Sequence, residues 1–246
     1  MTIKTVVFDL GGTLIEYAGP YETWPDLETP GFKAAYAVFS GNGHALPDFL
    51  TFRDAGFDLL PQMWQAATRH EQNLRVVDLL VESLRAVGVQ GVDGVQMETA
   101  AFHYGAAIQK QAWLIDRAVE TVAAAKEAGY QLGLVSNTMF PGSLHMEDMS
   151  RFGLIEYFDG MVFSADVDKW KPAAAPFLQV LDELGAEADT AVYIGDDPAS
   201  DVVGGLAAGM KTIYFKGNGR FHKPDHIQPH AEINSLDELL PLLQRW

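Results

Sequence analysis

Residues 6–14 read Val6-Val7-Phe8-Asp9-Leu10-Gly11-Gly12-Thr13-Leu14: an apolar run, then a carboxylate, then a glycine pair. The segment from Ile3 to Phe8 is short, β-branched and largely apolar, the pattern of a strand buried on both faces of a parallel sheet. Asp9 falls at the C-terminal end of that strand, the end at which ligands sit in open α/β sheets. Gly11 and Gly12 let the backbone turn sharply and approach a ligand. An aspartate in such a place can also merely cap a loop, and three later segments decide between the two readings.

Downstream of Trp113, strands and helices alternate. Ala118 to Ala128 is a helix former stopped by Gly129, and Gln131 to Val135 is a strand ending at Ser136-Asn137-Thr138. Met161 to Ser164 leads through Lys171-Pro172 into a helix over about 176–184. Ala191 to Ile194 is a third buried strand, ending at Gly195-Asp196-Asp197-Pro198-Ala199-Ser200-Asp201, and Thr212 to Phe215 is a fourth. A last helix spans 235–245, with Ser235 and Glu238 at capping-box spacing. This alternation predicts an α/β fold, a Rossmann-like three-layer core whose parallel sheet has helices on both faces.

Between Glu16 and Trp113 the texture differs. Leu74, Val77, Val81 and Leu84 recur at helical spacing and stop near Gly88; looser helical patterns cover 32–39, 49–68 and 95–108. Residues 1–15 and 114–246 are therefore expected to form the core, and 16–113 an inserted all-helical domain of four or five helices. Its aromatics read as bundle core. Tyr17, Tyr21 and Trp24 are the exceptions, assigned to the substrate pocket because the proline-bearing stretch from Gly19 to Pro30 reads as a loop close to the Asp9 turn.

The 246 residues carry a formal net charge of −16, which opposes nucleic acid and anionic membrane surfaces as partners. Without cysteine there is no disulfide, thiolate nucleophile or cysteine metal site. The first residues enter the Asp9 strand directly and no apolar run nears the ~18 residues of a membrane helix, so a cytoplasmic location is expected.

Four strand or turn ends carry polar groups: Asp9, Ser136, Lys171 and Asp196. Parallel strands bring those ends to one edge of the sheet. A carboxylate nucleophile, a hydroxyl, an ammonium and further carboxylates suit phosphoryl transfer, which asks a protein mainly for positioning and charge neutralisation. Asp9 and Asp196 are hard oxygen ligands suited to Mg²⁺.

Together, Phe8 to Leu14, Val135 to Thr138, Lys171-Pro172, and Gly195-Asp196 with Asp201 resemble the haloacid dehalogenase (HAD) superfamily of aspartyl-phosphate-forming hydrolases. The resemblance covers roughly 1–15 and 114–230. It implies a Mg²⁺-dependent phosphatase for a small phosphorylated metabolite, with Asp9 attacking phosphorus. The Gly11 carbonyl and Asp196 join Asp9 on the ion, and Asp201 supports it. Ser136 and the backbone N–H groups around Gly12 and Asn137 hold the phosphoryl oxygens, and Lys171 pairs with Asp9 and phosphate. The helical insertion resembles the family's cap, which closes over substrate and excludes water.

One position departs from the pattern. The family's phosphatases usually carry a second Asp two residues after the nucleophile as proton donor; here that residue is Gly11. A positioned general acid or base is typically worth ~10²–10⁴-fold in rate. Three readings remain open: a leaving group that needs no proton, a substitute such as Glu16, His44 or His103, or a slow, vestigial phosphatase. Gly11 also fits metal-independent 2-haloacid dehalogenases. The carboxylates crowded around Asp196 do not, because without a cation they repel an anionic haloacid. A weakly active or non-catalytic binding protein is a third class, which the joint presence of Asp9, Lys171 and Asp196 disfavours.

Other features carry less. Pro224 and Pro229 break any helix through His222, His226 and His230, leaving loop histidines. Asp197 reads as a solvated turn residue and Trp170 as packing. Residues 216–220 form a surface loop at the substrate rim.

Overall fold

Alternate residues of the first strand serve opposite faces of the sheet, as the two-residue period of a strand requires. Val6 and Phe8 pack with Leu132, Leu134, Val192 and Ile194, while Val7 packs on the other side with Val135, Val180 and Tyr193. The computed structural model describes residues 2–18, 23–70, 73–217 and 219–246. Tyr21 lies outside the described residues.

In chain order the elements are β1 (Thr5–Phe8), β2 (Ile15–Glu16), α1 (Thr29–Gly41), α2 (Phe49–Thr68), α3 (Val76–Ala86), α4 (Gly94–Gln109), β3 (Trp113–Leu114), α5 (Ala118–Glu127), β4 (Gln131–Ser136), α6 (Gly142–Arg151), β5 (Gly160–Phe163), α7 (Ala174–Leu184), β6 (Ala191–Gly195), α8 (Val203–Ala207), β7 (Lys211–Phe215), β8 (Ala231–Ile233) and α9 (Leu239–Leu243). Six strands form one sheet in the order β5-β4-β1-β6-β7-β8, and every pairing is parallel. Residues of α5 and α9 cover one face and residues of α7 the other. The three-layer α/β core expected from the alternation is what the chain forms. Because β1 lies between β4 and β6, Asp9, Ser136 and Asp196 end neighbouring strands.

The helices α1 to α4 all lie between β2 and β3, which pair antiparallel as a short ribbon, Ile15 opposite Leu114 and Glu16 opposite Trp113. They enclose their own apolar cluster, including Phe32, Phe39, Phe52, Leu60, Leu79 and Tyr104, which also takes in Met139 and Trp170 from the sheet side. Most of the insert's aromatics pack there as expected; Phe102 does not, and is 59% exposed. Among the described residues no helix is long and apolar enough to cross a membrane.

Three local readings are corrected, and two elements that the sequence reading did not assign are added. The loop assigned up to Pro30 ends sooner, because α1 starts at Thr29 with Pro30 in its first turn, where proline's missing N–H is not needed. The polar, methionine-bearing stretch 142–151 is the helix α6, and Ala231–Ile233 adds an edge strand; neither shows a clear apolar period in sequence. Asp197 is half-buried, accepting hydrogen bonds from the Ala199 N–H and the Ser200 hydroxyl, so it caps the turn after β6. The C-terminal segment carries the Ser235–Glu238 capping box at a short 3₁₀ turn that precedes α9.

Candidate active site

Asp9 leaves β1 directly into a tight turn in which the Gly12 N–H donates to the Ile15 carbonyl at 2.8 Å. Gly12 sits at φ +86°, and a Cβ there would overlap the Asp196 carboxylate. Two demands, a left-handed backbone and close approach to a side chain, therefore make glycine necessary at position 12. Gly195 is confined for the second reason: a Cβ on it would overlap Asp201.

Lys171 lies at the centre of the arrangement and is 2% exposed. Its Nζ lies within hydrogen-bond distance of four acceptors for its three protons: Asp9 Oδ1 at 2.6 Å, Asp201 Oδ1 at 2.7 Å, the Tyr193 hydroxyl at 2.9 Å and the Val135 carbonyl at 3.1 Å. Burial alone lowers a lysine's affinity for its proton, but the Asp201 and Asp9 carboxylates outweigh it and hold Lys171 charged. Its backbone is clamped as well: the Asn137 side chain accepts from the Lys171 N–H at 2.8 Å and donates to its carbonyl at 2.9 Å. The Asn137 amide thus holds the lysine turn, leaving to substrate only its backbone.

Asp9, Asp196 and Asp201 bring one carboxylate oxygen each within 4.8 Å of one another. The second oxygen of Asp9 accepts from Thr13 Oγ1 at 3.1 Å, and Asp201 Oδ2 from the Asp197 N–H at 2.9 Å. Asp196 Oδ2 is buried without a hydrogen-bond partner. Burial first, then the charges of Asp9 and Asp201, push the Asp196 carboxyl well above its ordinary range. Asp201 is raised by burial too, against the pull of Lys171. Three buried carboxylates against one buried ammonium leave an excess of negative charge, which Arg220 offsets only from the cleft rim, and one oxygen of the set, Asp196 Oδ2, is left without a partner. Hard oxygen donors at this spacing fit a divalent cation such as Mg²⁺.

Removing Lys171 tests this balance. Lys171→Met leaves Asp9 and Asp201 buried without their partner and is expected to destabilise the fold by about 3–5 kcal/mol, read from urea unfolding without added metal. A change under about 1 kcal/mol would mean that the ion pairs are not what holds the carboxylates in place.

The cluster opens into a cleft of about 1000 Å³, mouth included. Ser136, Asn137, Gly11, Tyr17 and Trp24 line it, as expected, and so does Arg220 from the 216–220 loop, of which Asn218 lies outside the described residues. The three proposed replacements for the missing acid do not line it. Glu16 accepts from the Tyr17 and Ala18 N–H groups and faces Arg220 at 3.6 Å; His44 bonds Gln96; His103 is exposed.

Several lining or supporting groups escaped the sequence reading. Tyr193 sits in an apolar strand, yet its buried hydroxyl requires partners and finds Lys171 and Val135. Thr13 supports Asp9. His145 and Asp148 come from α6, and the Tyr17 hydroxyl lies 3.0 Å from His145 Nδ1 and donates to Asp148 at 3.2 Å. Burial keeps His145 neutral, with its pKa near 4. Both ring nitrogens are engaged, Nε2 lying 2.7 Å from the Thr138 hydroxyl.

Comparison with known proteins places this geometry. A family model described as haloacid dehalogenase-like hydrolase matches residues 3–209. The pyrophosphatase PpaX of Bacillus cereus (strain AH820) is 27% identical over 245 residues, covering 99% of this chain and 97% of that one. The ribulose-1,5-bisphosphate 5-phosphatase of Halopiger xanaduensis is 30% identical over 216 residues, 85% and 83% of the two chains. Among solved structures, a 2-haloacid dehalogenase from Pseudomonas syringae pv. Tomato DC3000 superimposes with a TM-score of 0.69 at 25% identity, covering 100% of both chains.

Proposed function

The chain belongs to the haloacid dehalogenase-like hydrolases, and on that footing we propose that it is a Mg²⁺-dependent phosphohydrolase of a small phosphorylated metabolite. The observation that carries this reading is the buried meeting of Asp9, Asp196 and Asp201 around an unpartnered carboxylate oxygen, with Lys171 alongside. Asp9 is the nucleophile: one oxygen is anchored by Thr13, the other by Lys171, so the carboxylate is oriented before substrate arrives. Attack by Asp9 forms the aspartyl phosphate as the P–O bond to the leaving group breaks; the departing oxygen takes its proton from water, and a second water then hydrolyses the acyl phosphate to release phosphate and return Asp9. Lys171 and Ser136, with the backbone N–H groups beside Gly12 and at Asn137, hold the phosphoryl oxygens as charge develops on them; the Gly12 N–H itself is taken by the Ile15 carbonyl. Asp9, Asp196, Asp201 and the Gly11 carbonyl would hold the ion, which supplies neutralisation of phosphate charge against the carboxylates. Residues 16–113 act as the cap, contributing Trp24, Glu28 and Trp64 to the cleft.

Gly11 and the likeness to the Pseudomonas dehalogenase favour a second reading, metal-independent displacement of halide from carbon. The excess carboxylate charge favours the first. Phosphate release from phenyl phosphate that depends on Mg²⁺ and stops in EDTA is the expected result. Chloride release from 2-chloropropionate in EDTA, with no phosphate release in Mg²⁺, would establish the second reading instead.

A further inference from the structure

Away from the carboxylates the cleft changes character. One wall carries the indoles of Trp24 and Trp64, backed by the buried indole of Trp170. Trp170 is fully buried, with Nε1 donating to Asn73 Oδ1 at 2.7 Å; Trp64 packs edge-on against it at 4.8 Å between ring centroids, and Trp24 edge-on against Trp64 at 5.9 Å. Leu27, Ile108 and Phe140 add apolar surface. Into this apolar end is set a single carboxyl, Glu28, which is buried and accepts a hydrogen bond from the Tyr104 hydroxyl at 3.0 Å. Among the described residues no cation lies within ion-pair distance of Glu28. The cations that line the cleft, Lys171 and Arg220, are engaged by Asp9 and Asp201 and by Glu16.

A second anion on the substrate would enter this end facing carboxylates and apolar rings. A buried charge without a partner is expensive, so the end suits a neutral group. We propose, resting on the phosphatase reading, that the leaving group is an uncharged, largely apolar alcohol with a hydrogen-bond acceptor at its far end, and that Glu28, held by Tyr104, binds that acceptor. Pyrophosphate is excluded on the same grounds. This function for Glu28 requires its proton. Burial lifts its carboxyl to about 7, against the opposing effects of the Tyr104 hydrogen bond and the Arg220 charge. Tyr104, from α4, is itself raised by burial and by Glu28 and stays neutral, and Arg220, from the segment after β7, is the cation whose charge opposes burial at Glu28. Glu28 can therefore donate below about pH 7 and loses that ability as pH rises through it.

Matched ligands that differ only at the far end test this. 4-Methoxybenzylphosphonate carries an ether acceptor and 4-ethylbenzylphosphonate is its isostere without one; their affinity ratio, by calorimetry with Mg²⁺, cancels titration of the phosphonate. The methoxy ligand is expected to bind at least threefold tighter at pH 6, with the preference gone by pH 8. Glu28→Gln, which keeps a donor that does not titrate, should retain the preference at pH 8, and Glu28→Ala should lose it at pH 6 while still binding the ethyl ligand. A ratio near one at every pH, a preference unchanged by Glu28→Ala, or a 4-(aminomethyl) ligand bound best and increasingly so above pH 7 would each overturn the assignment. Hydrolysis of pyrophosphate in preference to 4-methoxyphenyl phosphate would overturn it too. Failure of every phosphate ester to react in Mg²⁺ would instead remove the phosphatase reading, which the binding ratio does not depend on.

Discussion

Asp9→Asn is expected to lower phosphate release from phenyl phosphate by roughly 10⁴-fold or more, since it removes the nucleophile. The amide is nearly the same size and can still accept from Thr13, while Lys171 retains Asp201. The substitution also removes one negative charge from a buried, acid-rich cluster, so the thermal midpoint should hold or rise even as turnover disappears. That separation matters, because loss of activity together with loss of folding would say nothing about chemistry. Acid-quenched wild-type protein should carry phosphate on Asp9 during turnover, and the variant should carry none. Activity within tenfold of wild type would rule out the covalent route through this residue.

Gly11→Asp is expected to act in the other direction, raising the hydrolysis of alkyl phosphates by about 10²–10⁴-fold. Position 11 has room for the change: the nearest heavy atom to a Cβ there is Tyr17 Cδ2 at 4.0 Å, and the backbone lies outside the left-handed region that favours glycine. An alkoxide is a poor leaving group that must be protonated as it departs, whereas 4-nitrophenolate leaves without help. The gain should therefore appear for alkyl esters and nearly vanish for 4-nitrophenyl phosphate. An unchanged alkyl rate would show that a donor already stands elsewhere in the cleft. Tyr17 is the lining group to replace next, since Glu16, His44 and His103 do not line the cleft.

Much of this protein was legible before any coordinates. Buried strands ending at Asp9, Ser136 and Asp196 could be read from apolar runs closed by polar residues, and a parallel sheet must then gather those ends on one edge. The helix with a clean apolar face, α3, announced by Leu74, Val77, Val81 and Leu84, was equally plain. Segments without a period were not. The helix α6 hides its period behind polar and methionine residues, so His145 and Asp148 gave no sign of reaching Tyr17. The Tyr193 hydroxyl and the Asn137 clamp on the Lys171 backbone were invisible for another reason: each joins residues more than twenty positions apart.

By itself, then, the sequence determined the α/β core, the helical insertion and the residue types at the strand ends, because those follow from local hydrophobic period and from the parallel pairing it imposes. Only the tertiary structure decided which charges share one buried space, that Asp196 is left with an unpartnered oxygen, and that Glu28 is buried in the lining of the cleft. Burial and proximity set the protonation and reach of those groups, and both are properties of how distant segments pack, which no local pattern encodes.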